Sequence, residues 1–145
     1  MRKLLAFILA TAVLSGCQTA DDELNTSSTP VAVTGSAASA IAGDMASRLA
    51  EQIGSAGTTT IKMEKDNSEF ATALEAALKG WGYAVITDGK VGKDLKPVEL
   101  AYWIDGVDGQ VLARLSTPSI ALGRAYTATP AGAVPASPLS IMQRK

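Results

Sequence analysis

Between residues 36 and 53 apolar side chains recur at Ala38, Ile41, Ala42, Met45, Leu49 and Ile53. Steps of three and four match one face of an α-helix, with Ser36 as its N-cap and Gly54 and Gly57 as its stop. Residues 58–63 are rich in β-branched side chains, and Thr59, Ile61 and Met63 share one face of a predicted strand. Asn67 is placed to cap a second helix, in which Phe70, Leu74 and Leu78 recur at i, i+4 and i+8 among Ala71, Ala73, Ala76 and Ala77. Gly80 and Gly82 end it, and residues 83–87 form a short apolar strand closed by Asp88-Gly89. After a charged loop, 90–96, and Pro97, the period changes to two. Val98, Leu100, Tyr102 and Ile104 alternate with Glu99, Ala101, Trp103 and Asp105, the clearest strand signal in the chain. Residues 105–109 have the composition of a hairpin loop; Val111, Ala113 and Leu115, then Ile120, Leu122, Arg124 and Tyr126, give two more strands.

The order α-β-α-β-β-β-β predicts an α+β domain over residues 36–126, with two helices packed on one face of a small, mostly antiparallel sheet. Two flanks lack periodicity. Residues 18–35 are Thr, Ser, Asp and Ala with Pro30 and Gly35, and read as a disordered tether. Residues 127–145 hold Pro130, Pro135 and Pro138 among Ala, Gly and Ser, and read as an extended tail with no core of its own.

The first residues are patterned differently. Arg2 and Lys3 precede an apolar run, 4–14, broken only by Thr11. That run fits the h-region of a signal peptide and is too short for a bilayer span of about 20 residues. Leu14-Ser15-Gly16-Cys17 follows and closely resembles the bacterial lipobox. The resemblance implies cleavage after residue 16, a diacylglycerol thioether on Cys17, and a further acyl chain on its freed amino group. Two or three chains hold where one gives only marginal binding, since each buried methylene contributes about 0.8 kcal/mol. The other reading, a secretory signal with an incidental cysteine, leaves a thiol beside the cleavage site unexplained. Gln18 stands where an aspartate favours retention in the inner membrane of enterobacteria, so the expected location is the outer membrane, facing the periplasm.

Composition narrows the chemistry. Of 145 residues 47% are hydrophobic, which is enough to bury a core. The net charge of −1 becomes −3 when residues 1–16 leave, because they take Arg2 and Lys3 and no carboxylate. No basic footprint for nucleic acid is present. The chain has no histidine and one cysteine, so a Ser-His-Asp or Cys-His site and an internal disulfide are excluded. Gly89-Lys90 and Gly92-Lys93 lack the spacing and the Ser or Thr of a phosphate loop. Asp105 and Asp108 offer too few oxygens for a calcium loop and read as turn residues. Glu64-Lys65-Asp66 reads as a solvated loop. No catalytic residue, metal or cofactor is expected. Tyr102 belongs to the apolar phase of its strand and so to the core. Trp103 sits on the opposite phase with Glu99 and Asp105; it and Trp81 are the candidate interaction surface, unless the tether or tail covers Trp103. Arg114 and Arg124 call for partners, with Glu99 or Asp105 as candidates.

Three segments together carry a wider resemblance: Ala73-Leu74-Glu75-Ala76-Ala77-Leu78-Lys79-Gly80-Trp81-Gly82-Tyr83, Leu100-Ala101-Tyr102-Trp103-Ile104-Asp105-Gly106 and Ile120-Ala121-Leu122-Gly123-Arg124-Ala125-Tyr126. With the lipobox and the Pro/Ala tail, they resemble the TrbH family of conjugal transfer proteins over nearly the whole chain. The resemblance implies a lipoprotein of the mating-pair-formation, type IV secretion apparatus that moves plasmid DNA between cells. Its implied partners are membrane lipid, through acylated Cys17, and other subunits of that apparatus, with no direct nucleic acid. It supplies no catalytic residue; Cys17 alone carries a defined role. The alternative function is an envelope lipoprotein that regulates a cell-wall enzyme.

Overall fold

A computed structural model describes residues 24–145. The signal peptide, Cys17 and the first part of the expected tether lie outside the described residues. Helix α1, Gly35–Ala50, buries Ala38, Ile41, Ala42, Met45, Ala46 and Leu49, the face that the spacing predicts. It starts after Thr34, which makes no side-chain cap; its Gly35 N–H instead donates to Glu69 Oε2 at 2.6 Å. Helix α2, Glu69–Gly80, buries Phe70, Ala71, Leu74 and Leu78. Its cap is Ser68, whose Oγ accepts from Ala71 N at 3.1 Å, and not Asn67.

Seven strands follow in one mixed sheet: β1 Thr60–Met63, β2 Ala84–Ile86, β3 Val98–Val107, β4 Gln110–Ser116, β5 Ile120–Thr129, β6 Gly132–Pro135 and β7 Ser140–Gln143. The spatial order is β2-β1-β3-β4-β5-β6, with β7 also paired to β5. β1 runs parallel to β2 and β3, and the other pairs are antiparallel. The β3–β4 connection is a two-residue turn with Asp108 at φ 51° and Gly109 at φ 77°. Positive φ at both positions matches the right-handed twist of the flanking strands and suits Asp-Gly. Both helices pack on one face of the sheet. Ile41, Met45, Leu74 and Leu78 close over Tyr102, Ile104, Leu115, Leu122 and Tyr126, all buried in one cluster. Each such side chain contributes roughly 1.5–3 kcal/mol by leaving water.

The two flanks differ from expectation. Residues 127–145 do not form a coreless tail: they extend β5 and supply β6 and β7, which pair with opposite halves of the same edge of β5. Helix α1 comes so close to β6 that a Cβ on Gly132 would stand 3.3 Å from Ala40 Cβ. Residues 24–34 are likewise part of the fold. Leu24 and Val33 are buried, and Ser28 pairs with the free edge of β3, donating to Tyr102 O at 3.0 Å and accepting from Ile104 N at 3.1 Å.

Candidate functional site

The place where the N-terminal segment locks onto the domain is built from residues far apart in sequence. Ser27 Oγ accepts from Tyr102 N at 3.2 Å, and Thr29 Oγ1 donates to Asp66 Oδ2 at 2.8 Å. Asp66 also accepts from Ser68 N at 2.8 Å and from the Ser68 hydroxyl, while its own N–H donates to the Tyr102 hydroxyl at 3.2 Å. Burial would raise the Asp66 carboxyl, but the hydrogen bonds from Ser68, Thr29 and Tyr102 outweigh it and hold the group below the usual aspartate value. Asp66 is thus a structural acceptor and not a residue of a solvated loop. At the start of the segment the Ser116 hydroxyl donates to Leu24 O; at its far end Val31 packs on Gly106, where a Cβ would meet Val31 Cγ2 at 3.3 Å. Sequence periodicity missed this latch because its signals are single hydroxyls and one carboxylate, each with an ordinary local reading as a turn.

On the face of the sheet away from the helices, Trp103 is half-buried, with the Arg114 guanidinium 4.7 Å from its ring centre. That stacking, and not a carboxylate, is the partner of Arg114. Trp103 lies between the Ser28 bridge on one side and Arg114 on β4 on the other, so the N-terminal segment borders it without hiding it. Small side chains, Ala101, Gly123 and Ala125, occupy neighbouring positions of that face, and Ser137 and Pro138 rim it. Trp81 is elsewhere. It caps the C-terminus of α2 and is 53% exposed. The two tryptophans therefore do not form one patch.

Arg124 finds its partner on the helix side. Its Nη1 donates to Asp44 Oδ2 at 3.0 Å and its Nε to Ser137 O at 3.0 Å. The Tyr126 hydroxyl donates to the same Asp44 oxygen at 2.6 Å, and burial with that neighbouring carboxylate drives the phenol far above its ordinary value. Glu99 instead stands 3.9 Å from Lys62, and Asp105 accepts from Gly106 N at 2.8 Å. The Asp44, Arg124 and Tyr126 group ties α1 to β5, and the other Asp44 oxygen lies 3.7 Å from Arg48 Nε on the same helix. Glu75 is held below its ordinary value by Lys79 and Lys65, both at 2.9 Å, on the surface of α2. Among the described residues no cluster of three or more metal-ligating side chains occurs. No described helix is long and apolar enough to cross a membrane.

Comparison with known proteins bears on both the fold and the N-terminus. A family described as prokaryotic membrane lipoprotein lipid attachment site matches residues 1–18. The family described as conjugal transfer protein TrbH matches residues 19–145. A protein of Sinorhizobium fredii (strain NBRC 101917 / NGR234), named probable conjugal transfer protein TrbH, is 79% identical over 147 residues, covering 99% of each chain. No solved structure matches. The first family makes this a lipid-anchored protein of the cell envelope; the second, spanning the latch, both helices and all seven strands, shows that the chain belongs to the TrbH family of conjugal transfer proteins.

Proposed function

We propose that the chain is a structural, non-enzymatic subunit of the conjugative transfer apparatus, acylated on Cys17 and held in the outer membrane facing the periplasm. The observation that carries this reading is the lipobox cysteine set only a few residues before a folded domain of the conjugal transfer family. Asp44, Asp66, Arg124 and Glu75 are each engaged by a neighbour within the domain. The Trp103 and Arg114 face supplies an aromatic-and-cation contact of the kind enriched at protein interfaces. Gln18 supports the outer membrane, through the sorting preference noted above.

Two measurements test it. Cys17→Ser abolishes incorporation of a palmitate analogue and leaves uncleaved precursor; equal labelling of variant and parent refutes the anchor. Pull-down from detergent-solubilised envelopes recovers other transfer-system proteins, and Trp103→Ala with Arg114→Ala reduces that recovery. Unchanged mating in a deletion strain, together with capture of no transfer protein, refutes the assembly role.

A further inference from the structure

The N-terminal segment enters the fold at one end of the sheet. Leu24 sits against Ser116, and from there the chain runs parallel to β3 until Val31 reaches Gly106. The same end gathers the 117–119 turn, the first residues of β1, β2 and β3, and Arg144, whose N–H donates to Ser119 O at 2.9 Å and whose Nη2 donates to Asn25 Oδ1 at 3.2 Å. The loop between β2 and β3 belongs there too, since Val91 and Pro97 border Pro118 and Ser119. The Asp108-Gly109 turn marks the opposite end.

Seven peptide units join Cys17 to Leu24, and even at full stretch they span no more than ~25 Å. A ten-residue strand such as β3 is ~33 Å long, so the leash is shorter than the sheet. Turning the far end toward the lipid would require the leash to be drawn out along most of the domain. Had it run to residue 35, the reach would be ~60 Å and any orientation would be open. The docking of residues 24–34 removes that freedom.

The end nearest the anchor also exposes side chains suited to a headgroup layer. Trp81 is 53% exposed and Leu95 is 49% exposed. An indole favours the membrane–water interface. Lys90, Lys93 and Lys96 are exposed beside Leu95 and can lay their stems along lipid with the ammonium groups at the phosphates. Asp88 and Asp94 share that loop, so its net charge is only +1, and Asp21, Asp22 and Glu23 add negative charge on the leash. Apolar contact, not charge, therefore dominates.

We infer that this end of the domain lies in the headgroup layer of the bilayer that holds Cys17, with Trp81 and Leu95 touching lipid and the Asp108-Gly109 turn directed away. The inference rests on acylation of Cys17. That cysteine is the only one in the chain and its sulfur is taken up in the thioether, so an introduced cysteine can be labelled selectively. Full-length, lipid-modified Trp81→Cys, Leu95→Cys and Asp108→Cys proteins are labelled with a polarity-sensitive fluorophore and reconstituted in phosphatidylethanolamine–phosphatidylglycerol vesicles. Probes at 81 and 95 are expected to shift to the blue and to be quenched several-fold more by nitroxide lipids than the probe at 108. The contrast persists at ~1 M salt, where the screening length is ~3 Å. Water-like emission at all three positions on acylated, vesicle-bound protein overturns the placement alone, as does a blue shift without lipid quenching, which marks a protein contact. A chain that carries no palmitate label and does not float with vesicles overturns the anchor and the placement together.

Discussion

Single side chains on this domain are used mainly to join parts that are distant in sequence. Asp44 receives Arg124 and Tyr126 from β5, and with Arg124 at 16% and Asp44 at 25% side-chain exposure the pair is largely withdrawn from water. Arg124→Ala leaves that carboxylate with less compensation and is expected to cost roughly 1–3 kcal/mol, read as a lower urea midpoint with an unchanged slope. Asp66 makes a pH-dependent contribution. Its folded-state value is depressed, so its stabilisation is present above the ordinary aspartate value and is lost as pH falls through the folded value. Asp66→Ala should therefore be less stable than the parent at neutral pH by about 1 kcal/mol, a figure reduced because the group is only partly buried. The gap should narrow in acid, below pH ~4. A gap that stays constant from pH 7 to pH 2 would show that the carboxylate charge plays no part.

At the level of elements, strand β7 is held on β5 by backbone pairing more than by its own side chains, and all four of its residues are exposed, whereas β6 also packs against α1. Removing residues 140–145 is expected to leave the helices intact by far-ultraviolet circular dichroism while lowering the melting temperature by several degrees, since the Ile120 and Leu122 edge loses its neighbour. Gly132→Val should destabilise as strongly, because φ 155° and the 3.3 Å approach of Ala40 leave no room for a branched side chain. These strands were illegible in the sequence for a related reason. Neither face of β7 is buried, so it shows no alternation; β6 is only four residues long and its buried position is a glycine, and Pro135 and Pro138 argue against a strand unless it lies at an edge, where Pro is tolerated. The helices and β1, β3, β4 and β5 are legible because each buries one face and therefore repeats at 3.6 or at 2, while β2 is legible as a short apolar run between turn signals. The helices start at other caps than the sequence suggests, Thr34 in place of Ser36 and Ser68 in place of Asn67, because neighbouring polar residues compete for that role and only geometry decides. Arg124 pairs with Asp44 and with neither candidate, Glu99 nor Asp105, because its partner comes from α1 at a separation of 80 residues, which no local pattern announces.

For the molecule as a whole, the folded unit begins by Leu24 and not at residue 36. A soluble form starting at 24 is expected to be more stable than one starting at 36 by several kcal/mol, measured by chemical denaturation. The shorter form loses Leu24, Val33 and the pairing of Ser28 with β3. Equal stability would mean that the segment is a passive strap. One consequence of that latch concerns the order of events in the envelope. Residues 24–33 are made early, yet their partners are Tyr102, Ser116 and finally Arg144, 119 positions after Asn25. A chain exported in sequence order cannot close the latch until β3 and Ser116 have crossed, and the Arg144 contact is the last to form. The segment made first therefore finds its binding edge late, because the strand it docks on lies some 75 residues behind it in the order of delivery.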